Sequence, residues 1–198
     1  LRYSETLALL ASWLVISFCF SVAFIFESPD IFPIAFGLSA ASAGVGFLLH
    51  ELAHRTTARR YGCNAYYRIW LAGIALALAV AIFTRGALVF AALGAVYISP
   101  MISSASLSTE SLRKVYGVIS LAGPSMNLLL AALFLALSLS GLGGWLSVFS
   151  TYALRINLWL AAFNLLPIPP FDGSKVMAWS KMVWAAFAVP AWALTLLI

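Results

Sequence analysis

The chain has 198 residues, of which 64% are hydrophobic and only 9% charged, with a mean hydropathy of +1.04 and a formal net charge of +5. That composition excludes an ordinary soluble domain, and apolar runs longer than the roughly 18 residues needed to cross hydrocarbon make it an integral membrane protein. The basic residues flank these runs and do not interleave with aromatics on a polar surface, which excludes nucleic acid as a partner.

Five long runs are predicted as transmembrane helices, near residues 6–26, 34–60, 116–140, 145–168 and 175–198, all within a single transmembrane domain covering 1–198. The first begins at Leu7 and no A-x-A-like cleavage site follows it, so it reads as a retained anchor. Cys19 falls inside this run and Cys63 in a basic loop after the second, a placement that predicts no disulfide. Pro33 stands where an N1 proline would open the second helix, and Arg55-Thr56-Thr57-Ala58-Arg59-Arg60 would carry its end out of the hydrocarbon.

Both histidines of the chain lie in that second run, in His50-Glu51-Leu52-Ala53-His54. An i, i+4 spacing stacks the two imidazoles on one helical face, where they can share a divalent metal with the glutamate beside it as a base. His50 would sit roughly 8 Å inside the charged edge at 1.5 Å per residue, so the metal would be shallowly buried.

The region 69–100 is less regular. Two apolar stretches of about 16 and 14 residues are separated by Thr84-Arg85-Gly86, and each is marginal for a full crossing. The β-branched and aromatic content of Ala92 to Ser99 favours a strand. The expectation is a short re-entrant helix and a return that ends in a strand near the site; the plain alternative is an ordinary third transmembrane helix.

A bound zinc ordinarily takes three protein ligands and keeps an open position for water, so a third donor is needed. Of the six acids, Glu5 is near the N-terminus, Glu27 and Asp30 lie in the loop at the far end of the first two spans, and Glu110 is in a polar loop. Asp172 is the candidate. It follows Asn164-Leu165-Leu166-Pro167-Ile168-Pro169-Pro170-Phe171, where prolines free the backbone at membrane depth, a setting in which an ionisable residue is functional by default. Asp172 meets the histidines only if 61–115 makes an even number of crossings, which a re-entrant hairpin allows and a single helix forbids. That parity also gathers Arg2, Arg55, Arg59, Arg60, Arg68, Arg113, Lys114, Lys175 and Lys181 on one face, opposite Glu27, Asp30 and Arg85, and the positive-inside rule makes the basic face cytoplasmic.

His50-Glu51-xx-His54, Ala122-Gly123-Pro124 with Asn127, and Asn164-xx-Pro167-xxxx-Asp172-Gly173 together resemble the site-2 protease family of intramembrane zinc metalloproteases, its archaeal and bacterial members above all. The resemblance covers Gly44 to Val176. It implies an all-α polytopic protein with about five to six transmembrane helices around a three-helix catalytic core, and a β-rich segment after the HExxH helix that guides an extended substrate. It also implies one zinc per chain held by His50, His54 and Asp172, with Glu51 as general base and acid, and a transmembrane protein as substrate. Asn164, Asn127, Pro167 and Gly94 are the candidate substrate or oxyanion contacts, Gly94 falling in the stretch Leu93 to Ser99 that occupies the β-segment position. One departure is the extra apolar stretch Leu71 to Ile82 ahead of that segment.

Plainer readings compete. The histidines could be a structural pair satisfied by carbonyls, and Asp172 could pair with Lys175 or cap the last helix. Arg155, inside the fourth run, receives no role, and the tryptophans are interfacial anchors and packing residues. At the level of function, the alternatives to an intramembrane protease in the cell membrane are a metal-ion transporter and a catalytically inactive membrane scaffold. Substrate identity and oligomeric state are not legible.

Overall fold

The structure of the protein is a computed structural model and describes residues 4–100, 108–141 and 143–198. It is 78% helical, with one two-stranded sheet. In chain order, α1 spans Glu5–Ser21, α2 Ala23–Glu27, a 3₁₀ turn Pro29–Ile31, α3 Phe32–Arg60, β1 Cys63–Ile69, α4 Leu71–Phe83, β2 Gly94–Pro100, α5 Thr109–Leu139, α6 Gly144–Asn164, α7 Asp172–Trp179 and α8 Lys181–Leu197.

Local chemistry sets these boundaries. Ser4, Ser108 and Ser180 cap α1, α5 and α8, each side chain accepting from a backbone N–H three residues on. Pro33 lies in the first turn of α3, as predicted, and Gly62, at φ +67°, turns the chain from α3 into β1.

Among the described residues, three helices are long and apolar enough to cross a membrane: Pro29–Arg60, which joins the 3₁₀ turn to α3, Thr109–Leu139 and Gly144–Asn164. The first and last predicted runs resolve into shorter pieces. Run 6–26 becomes the 17-residue α1 and the short α2, and run 175–198 is broken at the extended Ser180 into α7 and the 17-residue α8.

The region 69–100 leaves one end of the bundle and returns to it. β1 and β2 pair antiparallel with Cys63 opposite Pro100 and Ile69 opposite Gly94, so the chain re-enters where it left. The outgoing limb is α4, its Ala77 and Ala81 fully buried and the Ala77 carbonyl 3.7 Å from the Cys19 thiol of α1. The turn at Arg85 and Gly86 has both residues at positive φ, and a Cβ on Gly86 would run into Ala23, so only glycine fits. The return, residues 88–93, is extended without regular structure, with Trp159 Nε1 donating to Val89 O at 2.9 Å. A short helix with a strand-forming return was expected; the partner strand β1 was not.

In lipid, helices associate through close packing and interhelical hydrogen bonds more than through a hydrophobic drive. The described core follows that rule. Ala161, Leu165, Ala188 and Ala191 pack α6 on α8, and Trp184 and Trp192 of α8 donate to Leu165 O and Ala162 O at 2.9 and 2.8 Å. Trp13 of α1 donates to Ala40 O of α3 at 2.9 Å. Trp13, Trp159, Trp184 and Trp192 thus fasten elements together by donating hydrogen bonds across them, in addition to the anchoring and packing expected of them. Cys19 and Cys63 are both free thiols.

Candidate metal centre

Helix α3 carries His50 and His54 one turn apart, with rings nearly perpendicular at 84° and Nε2 atoms 3.0 Å from each other. Asp172 reaches them from the start of α7, its Oδ2 lying 3.4 Å from His50 Nε2 and 3.0 Å from His54 Nε2. The three side chains form a cluster that could hold a metal, their ligand atoms all within 4.8 Å of one another. Asp172 is not a helix cap, since Phe171 occupies the cap position of α7 and no side-chain cap bond forms there. Its contact with Lys175 is long, at 3.8 Å.

The tautomer of each histidine follows from its other nitrogen. His54 Nδ1 lies 2.7 Å from the Ile119 carbonyl, which can only accept, so Nδ1 carries the proton. His50 Nδ1 lies 2.6 Å from Asn127 Oδ1. The amide orientation of Asn127 is settled in turn, because its Nδ2 donates to the Gly46 carbonyl at 3.2 Å and to Asn157 Oδ1 at 3.0 Å. Asn157 Nδ2 donates to Ala153 O at 2.9 Å. In their neutral forms both imidazoles therefore present an Nε2 lone pair to each other and to a carboxylate oxygen. Three acceptors converging in a buried place repel one another unless a cation lies among them.

Helix α5 approaches this point as closely as a backbone can. A Cβ on Gly123 would collide with the Nε2 atoms of both His50 and His54. Glu51, between the histidines in sequence, has a buried Oε2 with no hydrogen-bond partner and lines the same cavity of about 260 Å³.

No family model and no solved structure matches the chain. A protein of Methanocaldococcus jannaschii named a "putative zinc metalloprotease" is 41% identical over 174 residues, an alignment that covers 86% of this chain and 84% of that relative. The chain belongs to this zinc metalloprotease family.

Membership in a zinc metalloprotease family supports a metal-dependent protease, and the surrounding residues divide into two groups around the cluster. One group braces the ligands. Asn127 and Asn157 are fully buried and link α3, α5 and α6 in a chain of amides that ends on His50. Asn127, expected among the substrate contacts, has both ends of its amide engaged in this way. Asn157 escaped the sequence reading; the signal was there, since it lies two turns before Asn164 on the same face of an apolar helix.

The other group lines the open side. Asn164 is half-buried on the cavity wall, with Nδ2 donating to its own helix at Leu160 O, 2.9 Å away. Pro167 lies in the irregular stretch 165–171 that carries the chain from α6 to Asp172. Gly94 begins β2 and lines the cavity along with Ala95, Val96, Tyr97 and Ile98.

Strand register shows which backbone groups are free. Trp70 N donates to Leu93 O at 2.8 Å in the same register, so residues 95 and 97 turn their backbone groups towards β1, and Gly94, Val96 and Ile98 turn theirs away. The outward edge of β1 is closed at Tyr67, whose N–H donates to Glu5 Oε1 at 3.1 Å. The same oxygen holds Arg55 Nη1 at 3.1 Å.

Proposed function

We propose that the protein is an intramembrane zinc metalloprotease of the site-2 protease type, hydrolysing peptide bonds within or near transmembrane segments of other membrane proteins. The observation that carries the proposal is the convergence of two fixed imidazole lone pairs and one carboxylate oxygen at a point that Gly123 leaves clear, with the unpartnered oxygen of Glu51 in the same cavity. The donor set suits zinc, which takes two histidines and a carboxylate in catalytic sites and keeps a fourth position open.

His50, His54 and Asp172 would hold the ion. Bound zinc supplies Lewis-acid activation of a water at neutral pH. Glu51 would take a proton from the attacking water and return it to the leaving amine, its Oε2 being free of any other partner. Asn164 has a second amide proton beyond the one given to Leu160 O, and this is the donor available to a developing oxyanion. The free edge of β2 pairs with an unwound substrate segment as an added strand. Pro167 keeps the stretch before Asp172 out of the helix.

The reading places the site near the cytoplasmic face, because Arg59, Arg60, Arg68, Lys175 and Lys181 gather at the end of the chain's spans where α3 and α6 finish. Cleavage of a panel of single-span membrane substrates by purified protein, beside Glu51→Gln with zinc assayed in parallel, tests the proposal. Cleavage abolished with zinc retained is the expected result. Zinc retained with no substrate cut by the unaltered protein contradicts it.

A further inference from the structure

Helix α6 carries one charged residue, Arg155, in an otherwise uncharged span. It stands about 16 Å from Gly144 and about 14 Å from Asn164 along the axis, at 1.5 Å per residue, which is the middle of the helix. The side chain is exposed and makes no ion pair with any described residue. It lines a cavity of about 470 Å³ together with Tyr152, Trp159, Gly86 and Thr195. A second, apolar hollow shares Trp159 and Thr195 with it and continues along α6 and α8 past Phe163 to Leu166, so the two form one groove.

The walls of this groove are fixed. Tyr152 donates to Phe20 O at 2.8 Å and lies 2.8 Å from Ser39 Oγ, and Trp159 donates to Val89 O at 2.9 Å. The guanidinium on these walls, at the middle of a membrane-spanning helix, has no carboxylate partner among the described residues. Arginines in that position pair with a carboxylate or mark a functional path.

We infer that Arg155 and the α6–α8 groove form a docking site for a transmembrane helix of another protein that carries an aspartate or glutamate near the middle of the bilayer. Arg155 stands about half a helix length from either end of α6, whereas the phosphate of a lipid lies at the surface, so a side chain brought in at depth fits it better. Among the described residues a second copy offers no acid at that depth: Glu5, Glu51 and Asp172 lie at the site end, Glu27 and Asp30 at the opposite end, and Glu110 in the first turn of α5. Charge complementarity and position together call for an acidic side chain brought in at depth by a partner helix. The inference rests on the membrane reading of α6 and not on the protease chemistry.

The test uses the full chain in lipid vesicles with a synthetic single-span leucine-alanine helix carrying one central glutamate, against the same helix with central glutamine and a third with the glutamate moved to the helix end. Association is read by fluorescence transfer for the unaltered protein, Arg155→Leu and Arg155→Lys, with zinc content checking that each variant folds. The central-glutamate helix is expected to bind about tenfold more tightly than the glutamine helix, with the preference lost in Arg155→Leu and kept in Arg155→Lys. Equal binding of the two helices by the unaltered protein overturns the inference, as does a preference that survives Arg155→Leu. Preference for the end-placed glutamate would also overturn it, since the anion would then be met at the surface.

Discussion

At the scale of single residues, the account turns on side chains that hold the histidines as much as on the histidines themselves. His50 is oriented by Asn127, which is oriented by Asn157, which is anchored on the Ala153 carbonyl. Partners of this kind fix ligand orientation, and removing them ordinarily costs 10–100-fold in metal affinity. Asn127→Leu is therefore expected to weaken zinc binding by about 10–100-fold, measured by competition with a chelator. Asn127→Asp should not restore it: a carboxylate still accepts from His50 Nδ1 but loses the donors to Gly46 O and Asn157 Oδ1, leaving like atoms opposed. Gly123→Ala makes a sharper prediction. Its methyl would occupy the space of both Nε2 atoms, so the variant should fold yet retain no stoichiometric zinc, and full zinc occupancy would refute the close approach. The clustering of His50, His54 and Asp172 was legible because two histidines at i, i+4, and few acids elsewhere in the chain, leave little choice. Asn157 was passed over although it lies two turns before Asn164 on the same face, because only the packed structure shows that its partner is Asn127.

At the scale of elements, the strand over 94–100 was legible in its β-branched and aromatic content, and the short helix ahead of it in its length. Strand β1 was missed. Its residues follow directly on a basic helix end, and its alternation of buried and exposed side chains appears only when β2, whose nearest paired residue Gly94 lies 25 positions after Ile69, supplies the other edge. The break at Ser180 was missed as well, since no glycine or proline stands between α7 and α8. The function assigned to β2 depends on its outward N–H groups. Val96→Pro removes one of these without touching the ladder to β1, because Val96 turns away from that partner. Cleavage efficiency kcat/KM is expected to fall about tenfold with zinc content unchanged. Unaltered cleavage would show that substrate does not pair with this edge.

At the scale of the whole molecule, the candidate centre joins three parts of the bundle: α3 supplies two of the candidate ligands, α5 the close backbone and a bracing carbonyl, and the segment after α6 the third. A metal bound only by the folded form adds stability as the logarithm of its concentration over Kd, about 4 kcal/mol at a thousandfold excess. Stripping the ion with a chelator is expected to lower the thermal midpoint in detergent, and zinc to restore it; an unchanged midpoint would mean that no ion ties these elements together. The fold was legible at this scale as a mostly helical membrane bundle, and the pairing of β1 with β2 brings 69–100 back to its starting end. The measurement that reaches the central claim most directly is the zinc K-edge absorption spectrum of the purified protein. Two histidine nitrogens at about 2.0–2.1 Å and carboxylate oxygen at about 2.0–2.2 Å, with no sulfur, are predicted for the site built by His50, His54 and Asp172. A sulfur shell near about 2.3 Å, or a protein that takes up no zinc, would contradict the assignment.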